Sequence, residues 1–215
     1  MRFYASLALL ATAVAANAQF INGDFSSGTL SGWTLTDTVN GASWVNTVES
    51  TDIDLGGPLG TNNAGKFAVG NRVAPNQGQQ GITLTQMLTL IGGTTYTFDF
   101  DWKATNAATS GSNAEGGQFN MIVNGTSIAF GAAGSTGFGT SKVGHLTGTF
   151  TPGTTGSYSV GARMTRQFTV PGAPTAPTLF QYVDNFTQAP AVPEPATMAA
   201  LGLGIAALLR RKRRS

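Results

Sequence analysis

A stretch near the middle of the chain, residues 94–104, alternates strictly between two kinds of side chain. It reads TTYTFDFDWKA, with aromatic residues at the even positions from 96 to 102 and Asp99, Asp101 and Lys103 among the odd ones. A period of two is typical of a half-buried β-strand and does not give one apolar face to a helix. The stretch therefore predicts a strand with an aromatic core face and a polar outer face.

The same alternation recurs along the chain between Gly-rich turns, which predicts an all-β fold. Residues 82–90 alternate in this way, and Gly92-Gly93 follows, which predicts a hairpin with the aromatic strand. Asn124-Gly125 predicts a tight turn. Roughly ten short strands separated by turns favour an antiparallel β-sandwich or jelly roll. The other predicted strands are 33–38, 43–48, 66–70, 119–123, 127–130, 145–151, 157–164 and 179–187, and the predicted loops are 105–117, 131–140 and 171–177.

Both ends of the chain differ from this pattern. Residues 1–18 combine Arg2, an apolar stretch and a small-residue exit at Ala16-Asn17-Ala18, which predicts a signal peptide removed by signal peptidase. The predicted domains are therefore a signal peptide at 1–18, a β-sandwich at 19–189 and a distinct tail at 190–215. Trp33 and Trp102 are expected in the core of the sandwich.

The charge of the chain depends on its ends. The chain has 12 basic and 10 acidic residues. Arg2 and five basic residues of the tail lie outside residues 19–192, which keep six basic and nine acidic residues, a net charge near −3. Because binding to phosphate needs a basic patch on the folded domain, no nucleic-acid partner is expected.

Catalysis finds little support in the sequence. The chain has no cysteine, so it has no disulfide, thiolate metal site or cysteine nucleophile. His145 is the only histidine, and no Gly-x-Ser-x-Gly motif accompanies it. Asp99 and Asp101 could act as a glycosidase pair, but alternation brings carboxylates together on any strand. We therefore expect a protein that is not an enzyme and requires no cofactor.

The tail from Val192 to Ser215 reads VPEPATMAALGLGIAALLRRKRRS. A Pro-Glu-Pro motif, a short apolar helix and a basic cluster in this order resemble the PEP-CTERM sorting signal of Gram-negative bacteria. The resemblance implies cleavage near the motif by an exosortase, in cells that make exopolysaccharide and biofilm matrix. The sorting motif is Pro193, Glu194 and Pro195, and the basic tail is Arg210, Arg211, Lys212, Arg213 and Arg214.

The length of the apolar helix favours a temporary membrane stop. Residues 197–209 would span about 20 Å at about 1.5 Å per residue, against a hydrocarbon core of about 30 Å. The basic cluster should remain cytoplasmic by the positive-inside rule, which leaves the body outside the inner membrane. The membrane is therefore expected to hold the chain only transiently, before release to the cell surface or matrix.

The body resembles the carbohydrate-binding-like jelly rolls related to modules of families four and nine, a galactose-binding-like fold. The resemblance covers most of residues 20–188. The segments that carry it are NGDFSSGTLSGWT at 22–34, LTLIGGTTYTFDFDWKA at 88–104, GTFT at 148–151 and FQYVDNFT at 180–187.

This second resemblance implies two kinds of site. Such modules often hold a structural Ca²⁺ where the first and last strands meet, which nominates Asp24 and Asp184, although Ser26 stands where the family more often has Glu. The alternative is that Asp24 caps a turn and Asp184 pairs with a buried polar group. A glycan site is the other implication, with an aromatic ring stacking on a sugar and polar groups reading its hydroxyls. The residues nominated as glycan contacts are Trp44, Asp99, Asp101, Lys103 and Tyr182.

Core packing is an equal alternative for Trp44, and a solvated sheet face is an alternative for the polar stripe of Asp99, Asp101 and Lys103. We expect an exported, exosortase-processed and non-catalytic protein of the cell surface or matrix, associated with exopolysaccharide. The alternatives are a carbohydrate-binding module with a specific glycan ligand and a polysaccharide hydrolase.

Overall fold

A computed structural model describes residues 19–38, 46–53, 62–68, 80–108, 114–166 and 179–190. These ranges contain strands and no helix, and hence no helix that is long and apolar enough to cross a membrane. The strands are β1 (Thr34–Asp37), β2 (Asn46–Thr51), β3 (Asn62–Phe67), β4 (Gln80–Leu90), β5 (Tyr96–Asn106), β6 (Ala114–Glu115), β7 (Gln118–Val123), β8 (Thr126–Ala132), β9 (Ser135–Thr136), β10 (Thr140–Phe150), β11 (Gly156–Arg166) and β12 (Leu179–Pro190).

Two antiparallel sheets form the body, which confirms the predicted β-sandwich. The first sheet has the order β1-β4-β11-β7-β8, and the second has the order β10-β5-β12-β3-β2. Strands β6 and β9 form a small separate ladder. The apolar faces of the two large sheets meet in one core of buried aliphatic and aromatic side chains.

The predicted hairpin of β4 and β5 is wrong. Strand β4 pairs with β1 and β11, whereas β5 pairs with β10 and β12 in the other sheet. The turn at Gly92-Gly93 therefore carries the chain across the core, held by bonds from Gly93 N to the Pro152 carbonyl and from Gly92 N to Thr155 Oγ1. Alternation shows that each strand buries one face. Two such strands can be neighbours in one sheet or can face each other from two packed sheets, and alternation does not distinguish these cases.

The turn predicted at Asn124-Gly125 is confirmed. Both residues have positive φ, 48° and 78°, and they join β7 to β8, which are paired antiparallel. These angles are those of a two-residue hairpin turn, which Asn-Gly favours. The regions predicted as loops at 105–117 and 131–140 contain the short strands β6 and β9, which pair with each other.

The first and last segments that carry the family resemblance, 22–34 and 180–187, meet in the core. The rings of Phe20, Phe25 and Trp33 surround Phe186, with centroids of Trp33 and Phe186 4.5 Å apart. Gly23 lies so close to β12 that a β-carbon there would be 2.5 Å from the Phe186 carbonyl oxygen. Trp33 and Trp102 are both 8% exposed, which confirms their expected core positions.

Candidate functional site

The polar residues of β5 lie on the outer face of the second sheet, away from the core. Their neighbours in the register complete this face. His145 on β10 lies opposite Asp101, Tyr182 on β12 lies opposite Lys103, and Lys66 on β3 lies opposite Tyr182. These four strands, together with Glu49 of the edge strand β2, contribute to one surface, which divides into two parts of different character.

The first part, here called the open half, lies over β10, β5 and the bulge of β12. His145 Nδ1 is 2.7 Å from Asp101 Oδ1, and its Nε2 is 3.3 Å from Asp99 Oδ1. Thr147 Oγ1 donates to Asp99 Oδ1 at 2.6 Å. The open half comprises Asp99, Asp101, His145, Thr147, Asn185 and Thr187.

A β-bulge in β12 supplies the amide of the open half. The register shifts between Asp184 and Thr187, and Asn185 adopts a φ of 55°. Asparagine tolerates this left-handed conformation better than most residues. The bulge lets Asn185 Nδ2 donate to Asp101 Oδ2 at 3.0 Å, while Phe186 remains in the core.

The electrostatics of the open half centre on His145. The hydrogen bond to Asp101 is the largest of the effects that raise the pKa of His145 above its ordinary value. Its partial burial opposes this effect, and the charges of Asp101 and Asp99 add to it. The His145 side chain is 48% exposed, against 11% for Asp101, so the imidazole is more open to solvent than the carboxylate that it bonds.

The second part, here called the closed half, lies over β12, β3 and β2. After β2, residues 52–53, here called the crossing segment, lie over the outer face, and Ile53 is buried against Tyr182 and Ala64, with Phe180 at the edge of this cluster. Tyr182 is 4% exposed as a result. Its hydroxyl lies 3.1 Å from Glu49 Oε1, and burial raises the pKa of Tyr182.

Two lysines complete the closed half. Lys66 forms an ion pair with Glu49, and its Nζ lies 4.2 Å from the centroid of the Phe180 ring. Lys103 Nζ donates to Thr51 Oγ1 at 2.7 Å and to the Asp52 carbonyl at 2.8 Å. Desolvation by burial lowers the pKa of Lys103. Lys103 therefore holds the crossing segment against the sheet, and Lys66 links β2 to the Phe180 ring of β12.

The residues nominated as glycan contacts thus lie in different environments. Asp99 and Asp101 share the open half, whereas Lys103 is bonded to the crossing segment and Tyr182 is buried beneath it. Trp44 lies outside the described residues. The sequence reasoning set His145 aside as a lone histidine, and only the pairing of β10 with β5 reveals its position beside two carboxylates.

The two carboxylates nominated for Ca²⁺ have the partners expected from the alternative interpretation. Asp24 Oδ1 accepts bonds from Ser26 N at 3.1 Å and Ser26 Oγ at 2.8 Å, and the backbone bond is the main cause of its lowered pKa. Asp184 is buried and accepts from Asn62 Nδ2 at 2.6 Å. Within the described ranges, no group of three or more His, Asp or Glu side chains is arranged to hold a metal.

Residues 191–214 match the PEP-CTERM protein-sorting motif, which confirms the resemblance of the tail. The motif indicates export, exosortase processing and sorting to the cell surface in Gram-negative bacteria. The matched residues lie outside those that the structure describes. No curated protein sequence matches the chain.

Solved structures similar to the chain include carbohydrate-binding modules. A family 61 module determined with bound β-1,4-galactotriose is 14% identical, with a TM-score of 0.47 over 80% of this chain and 99% of that one. The C-terminal family 22 module of Clostridium thermocellum Xyn10B is 17% identical, with a TM-score of 0.42 over 82% and 96%. The K1 adhesin domain of Lys-gingipain from Porphyromonas gingivalis is 11% identical, with a TM-score of 0.44 over 79% and 96%.

Proposed function

We propose that the protein is a non-catalytic component of the cell surface or extracellular matrix, whose body contacts exopolysaccharide through the open half. The observation that carries the proposal is the sorting motif at 191–214, because it accounts for export and processing. In this proposal, signal peptidase and exosortase are partners during export, and the inner membrane holds the chain only through the apolar helix of the tail.

The export step is tested by mass spectrometry of the protein recovered outside the cell. We expect a mature form that begins at Gln19 and ends near Pro193. Replacing Pro193 and Pro195 with Ala should leave an unprocessed form in the membrane fraction, and Pro190→Ala is a matched control just before the motif. An exported wild-type form that still ends at Ser215 would contradict processing.

The open half offers the kinds of groups that bind sugar hydroxyls. Carboxylates of Asp99 and Asp101 accept hydrogen bonds, and Asn185, Thr147 and His145 can donate them. The net charge near −3 of residues 19–192 disfavours strongly acidic polymers, because like charges repel. We therefore expect neutral polysaccharides to bind better than acidic ones.

A glycan array with the purified exported protein separates general association from specific recognition. One defined oligosaccharide that binds well above the others would favour the second candidate function, a carbohydrate-binding module with its own ligand. The open half favours this candidate because it presents a partly exposed amide (Asn185), hydroxyls (Thr147 and Thr187) and a carboxylate (Asp99) side by side. Failure to bind any neutral or acidic polysaccharide would remove both functions while leaving export intact.

Two features support a role without catalysis. Both ring nitrogens of His145, the only histidine, face carboxylates, and no hydroxyl among the described residues bonds to the ring. Such a histidine has no nucleophile to activate in this arrangement. Turnover of a polysaccharide by the wild type, abolished by Asp99→Asn, would establish the hydrolase alternative instead.

The calcium proposal for Asp24 and Asp184 rests on the family resemblance and has a simple test. A bound Ca²⁺ would stabilise the folded state by mass action. The melting temperature of the exported protein should therefore rise with added Ca²⁺ and fall with a chelator, and Asp24→Asn should remove this response. Equal melting temperatures under all three conditions would exclude the site.

A further inference from the structure

We propose that Asp99, His145 and Asp101 form a proton-operated latch, which fastens the edge strand β10 to β5 when the imidazole is protonated and loosens when it is not. The latch is a property of the sheet and needs no ligand. It therefore goes beyond the proposed function and can be tested separately from it.

The positions of the two carboxylates require a doubly protonated ring for full bonding. They face different nitrogens, Asp101 at 2.7 Å from Nδ1 and Asp99 at 3.3 Å from Nε2. A neutral imidazole has one N–H and one bare nitrogen, so it can donate to only one of them. The imidazolium can donate to both, and each bond to a carboxylate is then charge-assisted.

Among the described residues, no other cation neutralises the two carboxylates beside His145. The charged groups that face it are Asp99 and Asp101 from β5. On β12, Asp184 is the register partner of Asp101, and its carboxylate accepts a bond from Asn62. Lys103 is the next residue on the β5 face, and its ammonium is bonded to the crossing segment. Among the described residues, the ion pairs of Asp99 and Asp101 are with His145 alone.

The neutral neighbours of this cluster favour the same arrangement. Asn185 donates to the second oxygen of Asp101, and Thr147 donates to Asp99, so both carboxylates are held in the orientation that faces the ring. These donors remain when His145 loses its proton, but they cannot remove the repulsion between two carboxylates on one strand face. Deprotonation therefore leaves an ordered but uncompensated acidic pair.

The position of β10 makes the latch matter for the sheet. In the second sheet, β10 is an outer strand that pairs only with β5, and His145 lies near its middle. Other strands of this sheet except β2 have a ladder on both sides. Loss of the ion pairs between His145 and the two carboxylates should therefore first increase the local opening of β10, because edge strands open at lower free energy than central ones.

The direction of the pH effect follows from the sign of the shift. The neighbouring carboxylates raise the pKa of His145 in the folded state above its ordinary value of 6.5. The stabilisation is therefore complete below that ordinary value and is lost as the pH rises through the folded-state pKa. Protein at pH 6 should hold β10 more firmly than protein at pH 8.

Nuclear magnetic resonance of the purified exported protein, without a histidine tag, measures the latch directly. His145 is the only histidine, so one set of imidazole signals reports its titration. We expect a midpoint above 6.5 in the wild type and a fall toward 6.5 in Asp101→Asn and in the less buried Asp99→Asn. Asp37→Asn, an exposed carboxylate on β1, should leave the midpoint unchanged. A wild-type midpoint at or below 6.5, or one that neither open-half variant lowers, overturns the proposal.

Hydrogen exchange tests whether protonation of His145 stabilises the pairing of β10 with β5. Protection factors of the β10 amides should fall from pH 6 to pH 8, while those of β11 in the middle of the other sheet should not. The melting temperature should be about 1–3 °C higher at pH 6 than at pH 8. In His145→Gln both differences should disappear, because glutamine cannot gain a proton. A pH dependence that persists in His145→Gln, or β10 protection that is equal at the two pH values, overturns it.

Discussion

The two halves of the outer face share one sheet, but the polar groups of one half are covered and those of the other are partly exposed. In the closed half, Lys66 forms an ion pair with β2, Lys103 bonds to the crossing segment, and Ile53 covers Tyr182. In the open half, no described segment crosses the sheet, and the imidazole of His145 is 48% exposed. The closed half therefore stabilises the sheet through buried contacts, and the open half keeps polar groups within reach of solvent.

The difference shows that a polar stripe on one strand does not act as a unit. Asp99, Asp101 and Lys103 alternate along β5 as one pattern, yet the first two belong to the open half and the third to the closed half. The neighbouring strands decide this division. Lys103 lies beside Tyr182 and the segment after β2, whereas Asp101 lies beside His145 and the bulge at Asn185.

The largest effect is expected where a ring of the closed half is removed. Tyr182→Ala should lower the free energy of unfolding by about 3 kcal/mol, because a buried ring leaves a cavity beneath Ile53. Urea denaturation measures this loss. Phe130→Ala, which truncates a 59% exposed ring on β8, should change the value by less than about 0.5 kcal/mol. A similar loss in the two variants would show that the buried ring of Tyr182 stabilises the fold no more than an exposed ring does.

A smaller effect is expected when only the hydroxyl of the same ring is removed. Tyr182→Phe keeps the packing against Ile53 and removes the bond to Glu49, so the loss should be about 1 kcal/mol. Urea denaturation of Glu49→Gln provides a comparison, because glutamine retains an acceptor for the hydroxyl but loses the ion pair with Lys66. A loss in Tyr182→Phe as large as that in Tyr182→Ala would assign the stability to the hydrogen bond instead of the packing.

The smallest change in stability is expected in the open half. Asp99→Asn at pH 8, above the ordinary histidine pKa of 6.5, should alter the free energy of unfolding by less than about 0.5 kcal/mol. The asparagine oxygen can still accept the bond from Thr147. Urea denaturation at pH 8 measures this, and a loss above about 1 kcal/mol would mean that the open half is also structural.

Much of the fold could be predicted from the sequence, because alternation and turn residues are local signals. The all-β sandwich, the core positions of Trp33 and Trp102 and the turn at Asn124-Gly125 are all confirmed. The pairing of β4 with β5 was wrong because alternation identifies a buried face without identifying the strand beside it.

The candidate site was harder to predict, because its contacts join residues that are distant in the chain. His145 and Asp101 are 44 positions apart, and Lys103 and Asp52 are 51 apart. The spacing of Asp99 and Asp101 showed that they share a face, but it contained no information on which partner strand lies beside them. Ile53 gave no signal either, since one apolar residue after a strand is common.

The most direct test of the account compares retention of the exported protein on polysaccharide isolated from the host matrix. The double variant Asp99→Asn with Thr147→Val changes the open half, and Tyr182→Phe changes the closed half. We predict that the open-half variant binds roughly tenfold more weakly, as expected for loss of one to two hydrogen bonds, whereas Tyr182→Phe binds like the wild type. Equal retention of all three proteins, or weaker retention of Tyr182→Phe alone, would contradict the assignment of polysaccharide contact to the open half.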